Sequence, residues 1–94
     1  MRTFWIAHVT VTDPTAYAAY QALAKGVFES FGGQFVVRGG AARTLEGSDF
    51  QRHVVIEFPS RAQAEACYAS PEYTAARAAR AGAAEVHITL VEGV

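Results

Sequence analysis

Hydrophobic and polar positions alternate without a breaker through residues 3–12, TFWIAHVTVT, and the β-branched and aromatic content of the run predicts a strand. Asp13-Pro14 ends it and suits a helix start, with Asp as cap and Pro in the first turn. Tyr17, Tyr20, Ala24, Val27 and Phe31 then recur at three- and four-residue spacing, one apolar stripe along a helix that Gly32-Gly33 closes. QFVVR (34–38), Gly39-Gly40 and AARTLE (41–46) read as one long strand kinked or bulged at the glycines. GSDFQ (47–51) is turn material, and HVVIEF (53–58) is a third strand. Ser60-Arg61-Ala62-Gln63 has the spacing of a capping box and opens a helix; Ser70-Pro71 interrupts it and starts another that runs to Gly82. VHITLVE (86–92) is the last strand.

The resulting order is β-α-β-β-α-β, the ferredoxin-like arrangement of an α+β domain: a four-stranded antiparallel sheet with its helices on one face. Phe4, Ile6, Phe35, Val37 and Val91 place apolar residues in both phases of the alternation, more than a solvated sheet face carries. Two such sheets packed face to face in a homodimer account for the excess, and burial by self-association suits a chain of 94 residues.

Composition adds little to this frame. The chain is 51% hydrophobic and 18% charged, which is globular, and it is read as one domain over residues 1–94. A net charge of −1 and the lack of a basic-aromatic stripe argue against nucleic acid as a partner. The apolar run at the N-terminus is short and interrupted by His8, so neither a signal peptide nor a membrane span is expected, and a cytoplasmic location follows as the default. A single cysteine, Cys67, leaves no internal disulfide and reads as a small buried hydrophobe.

Asp13-Pro14 with Tyr17 and Tyr20, Gly32-Gly33, Arg38-Gly39-Gly40, Glu46-Gly47, Arg52, IEFPS (56–60), Tyr68, SPEY (70–73), Arg80 and Glu92-Gly93 together resemble the bacterial family called domain of unknown function thirteen-thirty, within the dimeric α+β barrel superfamily. The resemblance covers essentially the whole chain. It implies the ferredoxin-like fold and a homodimer with a barrel between its sheets, and it implies no reaction. Relatives in that superfamily include cofactor-free monooxygenases and isomerases, whose motifs have no residue-by-residue match here.

Candidate chemistry is sparse. There is no Gly-rich phosphate loop, no G-x-S-x-G and no C-x-x-C, so no cofactor is expected. His8, His53 and His87 each fall on a strand without metal-ligand spacing, and no metal is expected either. Alternation puts His53 and Glu57 on the side of the third strand that faces away from the helices. Arg38 and Glu57 fall on neighbouring strands and are expected to share a face near the glycine kink, either gripping a small carboxylate or enolate or pinning the register. Glu46 and Arg52 flank the hairpin turn and are read as its clamp. Tyr17, Tyr20, Tyr68 and Tyr73 point from the helices towards the sheet, as core or as polar handles in a cavity that alanine-rich helices leave open.

The candidate ligand-binding residues are therefore His8, Tyr20, Arg38, Glu57, Tyr68 and Arg80. The principal expectation is a homodimer binding a small, apolar molecule with an anionic or phenolic group between sheet and helices. The alternatives are a cofactor-independent monooxygenase or isomerase, with His8 or Glu57 as base and Arg38 or Arg80 on an oxyanion, and an accessory dimer with a filled interior.

Overall fold

The computed structural model describes residues 1–94. Its elements run β1 (Thr3–Val11), α1 (Pro14–Ser30), β2 (Gln34–Arg38), β3 (Arg52–Phe58), α2 (Arg61–Ala69), α3 (Pro71–Ala79) and β4 (Ala84–Glu92). The four strands form one antiparallel sheet in the order β2-β3-β1-β4. The helix starts are chemically signed. Asp13 accepts from the backbone N–H of Thr15 and Ala16, and Ser70 accepts from Tyr73 N–H while donating to the Cys67 carbonyl at 2.7 Å. Ser60 Oγ accepts from Gln63 N–H and donates to Gln63 Oε1, while Gln63 Nε2 donates to the Phe31 carbonyl and so ties α2 to the end of α1.

Alternation sorts the sheet into two faces. Thr3, Trp5, Ala7 and Val9 of β1 are buried under the helices, with Ile56 and Phe58 of β3 beside them. Trp5 is the centre of this core. Its ring meets Phe28 and Tyr73 edge-on, at centroid distances of 5.1 and 5.2 Å, and lies tilted against Phe58. Phe4, Ile6 and His8 face the other way. His8 pairs with His53 on one side and His87 on the other, so the three histidines form a single row across β3, β1 and β4. That face carries no helix.

Two expectations about β2 are corrected. The strand stops at Arg38, and residues 41–46 are irregular and exposed rather than extended along a partner. β2 is an edge strand, and Gly39 at φ 69° turns the chain away from β3, leaving AARTLE nothing to pair with. A bulge also lies within the strand: Phe35 pairs with Ile56, yet Val37 pairs with Val55 and Arg38 with Val54. One extra residue reverses the parity beyond it. Phe35 accordingly belongs to the helix-covered face, packed edge-on against Phe28, rather than to the open one.

Candidate functional site

The bulge decides where the chemistry lies. In an unbroken ladder Arg38 would sit opposite His53 and share a face with Glu57; the extra residue swings it under the helices. Glu57 stays on the open face, 3.5 Å from Arg2, so the expected Arg38–Glu57 pair does not exist. Arg38 instead enters a cavity between the sheet and α1, where its guanidinium lies over the Phe35 ring at 4.5 Å.

Two further arginines line the same cavity. Arg80, at the C-terminal cap of α3, lies over the Tyr20 ring at 4.8 Å. Arg52 opens β3 in the same phase as Val54, Ile56 and Phe58, so its side chain points inward rather than clamping the hairpin. Its guanidinium packs against the backbone of Gly39, where a side chain would collide with it. The chain's ion pairs are Arg2–Glu57, Lys25–Glu29, Arg61–Glu65 and His87–Glu85, and none of them uses Arg38, Arg52 or Arg80. The Nε–H groups of Arg52 and Arg80 are buried and have no hydrogen-bond partner. No Asp, Glu or His lines the cavity.

Two phenol groups, those of Tyr17 and Tyr20, complete the polar wall. The Tyr20 and Tyr73 hydroxyls hydrogen-bond each other at 2.8 Å. Burial pushes Tyr17, Tyr20 and Tyr73 above the ordinary phenol range, with the neighbouring arginines Arg52 and Arg80 acting against it at Tyr17. Arg80 stays charged because the adjacent Tyr73 and Tyr20 hydroxyls outweigh the desolvation that opposes its charge. These tyrosines are therefore neutral donors at neutral pH, and the site as a whole presents positive charge and hydrogen-bond donors to whatever enters.

Of the six candidate residues, Tyr20, Arg38 and Arg80 converge here. Tyr68 lines a second, wider groove along β4 and stacks with Arg77 at 4.8 Å. His8 and Glu57 lie on the opposite sheet face and cannot serve a ligand in this cavity. There His8 Nδ1 and His53 Nδ1 are 2.9 Å apart, a hydrogen bond that needs one ring as donor and the other as acceptor, with Phe50 packed against His8 and His87. No group of three or more His, Cys, Asp or Glu is placed to hold a metal ion. Arg52 and Tyr17 are the residues that sequence reasoning left out of the site. Arg52 had a usable signal, because residues 52, 54, 56 and 58 alternate in one phase and the last three are plainly core.

This geometry can be set beside known proteins. The family model described as Domain of unknown function (DUF1330) matches residues 2–94. The chain belongs to this family. Its Arg38-Gly39 and Arg52, prominent in the resemblance, are the residues that meet at the cavity wall. No curated protein matches the chain significantly. A protein of unknown function from Rhodopseudomonas palustris is similar in structure, with a TM-score of 0.80 at 24% identity, over 99% of this chain and 82% of that one. A dimeric protein of unknown function and ferredoxin-like fold from Bacteroides fragilis gives a TM-score of 0.66 at 12% identity, covering 98% and 96% of the two chains. SnoaB, a cofactor-independent oxygenase from Streptomyces nogalater, gives 0.66 at 16% identity, covering 99% and 93%. At these identities the likeness establishes the ferredoxin-like α+β fold of this DUF1330 chain.

Proposed function

We propose that this DUF1330 protein is a homodimer that binds a small organic anion in the cavity between sheet and helices. The observation that carries the reading is the convergence of Arg38, Arg52 and Arg80 on one cavity with no carboxylate among them and two of their Nε–H groups unpartnered. Like charges held close together are costly unless something neutralises them, and planar guanidinium groups grip carboxylates and enolates through paired N–H donors. Stacking on Phe35 and Tyr20 holds Arg38 and Arg80 in place while leaving their edges for a ligand. The aromatic walls suit the carbon that bears the anionic group.

The homodimer rests on the open sheet face, where Phe4, Ile6, Val37, Val55 and Val91 are uncovered, and on the dimeric Bacteroides fragilis neighbour. A cofactor-independent oxygenase reading draws on the SnoaB likeness and on the suitability of three arginines for stabilising an enolate or phenolate. The cavity offers no resident base for such a reaction, which favours binding as the primary statement.

Thermal-shift screening with small aromatic acids, against neutral amides of the same shape, tests the proposal. Acids are expected to raise Tm in a concentration-dependent manner, amides are not, and Arg52→Gln is expected to abolish the response. Equal responses to acids and amides, or an unchanged response in Arg52→Gln, would refute it.

A further inference from the structure

The cavity and the β4 groove differ in size and in chemistry. The cavity proper has a volume of about 40 Å³, little more than the ~30 Å³ that one water occupies in the liquid, so only the head of a ligand fits among the arginines. The groove beside it measures about 860 Å³, within the range of small-molecule sites, and seven of its eleven lining residues are hydrophobic. Trp5, Arg80, Val86 and Ile88 line both spaces, so the two adjoin at these residues and Arg80 belongs to each. β4 is an edge strand, and its inward residues Val86, Ile88 and Leu90 are only partly covered by the helices. The charges at the groove are already engaged: Glu65 pairs with Arg61 at 3.3 Å, and Arg77 lies over Tyr68.

We infer that the two spaces hold one amphipathic organic acid, its anionic head among Arg38, Arg52 and Arg80 and its apolar body lying past Trp5 along β4. This inference rests on the anion-binding reading and adds the substrate class. A short polar anion satisfies the arginines but leaves the groove wet; an acid with a long apolar body gains from both. Arg80, common to the two walls, sets the point where head gives way to body.

Isothermal titration with straight-chain carboxylates from butanoate to octanoate separates the two claims. Affinity is expected to rise about three- to fourfold per methylene where the chain is buried in the groove. Arg52→Gln is expected to weaken every member of the series by a similar factor. Leu90→Ser and Ala78→Gln, the latter on an exposed helix position at the groove, are expected to flatten the dependence on length while leaving butanoate binding unchanged. Circular dichroism confirms that each variant is folded. Binding that is flat with chain length in the wild type overturns this inference and leaves the anion site standing. Binding of no carboxylate, or binding insensitive to Arg52→Gln, overturns both. A groove variant that dissociates the dimer, with the length dependence intact, assigns the groove to a second copy and overturns the inference.

Discussion

Gly39 and Arg52 share one constraint. The glycine sits at φ 69° and any side chain there would strike the guanidinium, so this position must be left-handed and bare for Arg52 to reach the cavity. Gly39→Ala is expected to cost about 1–2 kcal/mol through the backbone alone and to weaken anion binding further by displacing Arg52, which urea titration and calorimetry would separate. The buried phenols make a prediction at high pH. Their folded pKa values lie above the unfolded value of 10.0, so the unfolded chain loses protons first as pH climbs past that point. Stability is therefore present in full below pH 10 and falls above it. Comparing denaturation midpoints on either side of that pH should show the drop, and Tyr20→Phe should reduce it. Cys67 is fully buried, its thiol pushed up to about 11 by desolvation. Thiol reagents are expected to label it only on unfolding, and rapid labelling of the native protein would contradict the packing described.

At the level of elements, the bulge in β2 is the device that makes the site. Inserting one alanine between Val37 and Arg38 puts the alanine opposite Val54 and returns Arg38 to the open face, opposite His53. The expected outcome is a folded protein with native far-ultraviolet dichroism and much weakened anion binding; full binding by the insertion variant would show that Arg38 has no part in the site. Arg52 and Arg80 are set by more robust means, one by simple alternation along β3 and the other by the terminus of α3. The arm between β2 and β3 is tied at its start, where Gly39 N–H donates to the His53 carbonyl, and at its end, where Gln51 bridges to Val11 and Thr10 of β1, while Leu45 between them is 81% exposed.

On the scale of the whole molecule the sheet divides two jobs. Its covered face holds the core and the arginine cavity, and its open face holds the histidine row, the Arg2–Glu57 pair and the uncovered Phe4, Ile6, Val37 and Val55. Self-association through the open face buries those apolar side chains without disturbing the cavity. Ile6→Glu is accordingly expected to give a monomer by sedimentation velocity while keeping carboxylate binding. A dimer that persists would place the interface elsewhere. Trp5 links both ends of the binding space to the core, and Trp5→Ala is expected to cost about 3–5 kcal/mol in a denaturant titration.

Local rules determined the element order, the helix starts at Asp13, Ser60 and Ser70, the breaks at Gly32 and Ser70-Pro71, and the faces of β1, β3 and β4, because capping and alternation depend on near neighbours in the chain. They also placed His53 and Glu57 correctly on the side away from the helices. The site was only half legible. Tyr20 and Arg80 could be read from their helices, but Arg38 was paired with the wrong partner and Arg52 was given to a turn. The Arg38 error has a tertiary cause: strand parity beyond a bulge depends on which residues of two distant segments pair, and only the tertiary structure decides that register, whereas the alternation of β3 already placed Arg52. The absence of carboxylates around the three arginines is likewise a property of the assembled walls, contributed by β2, β3 and α3, and no single stretch of the chain contains it.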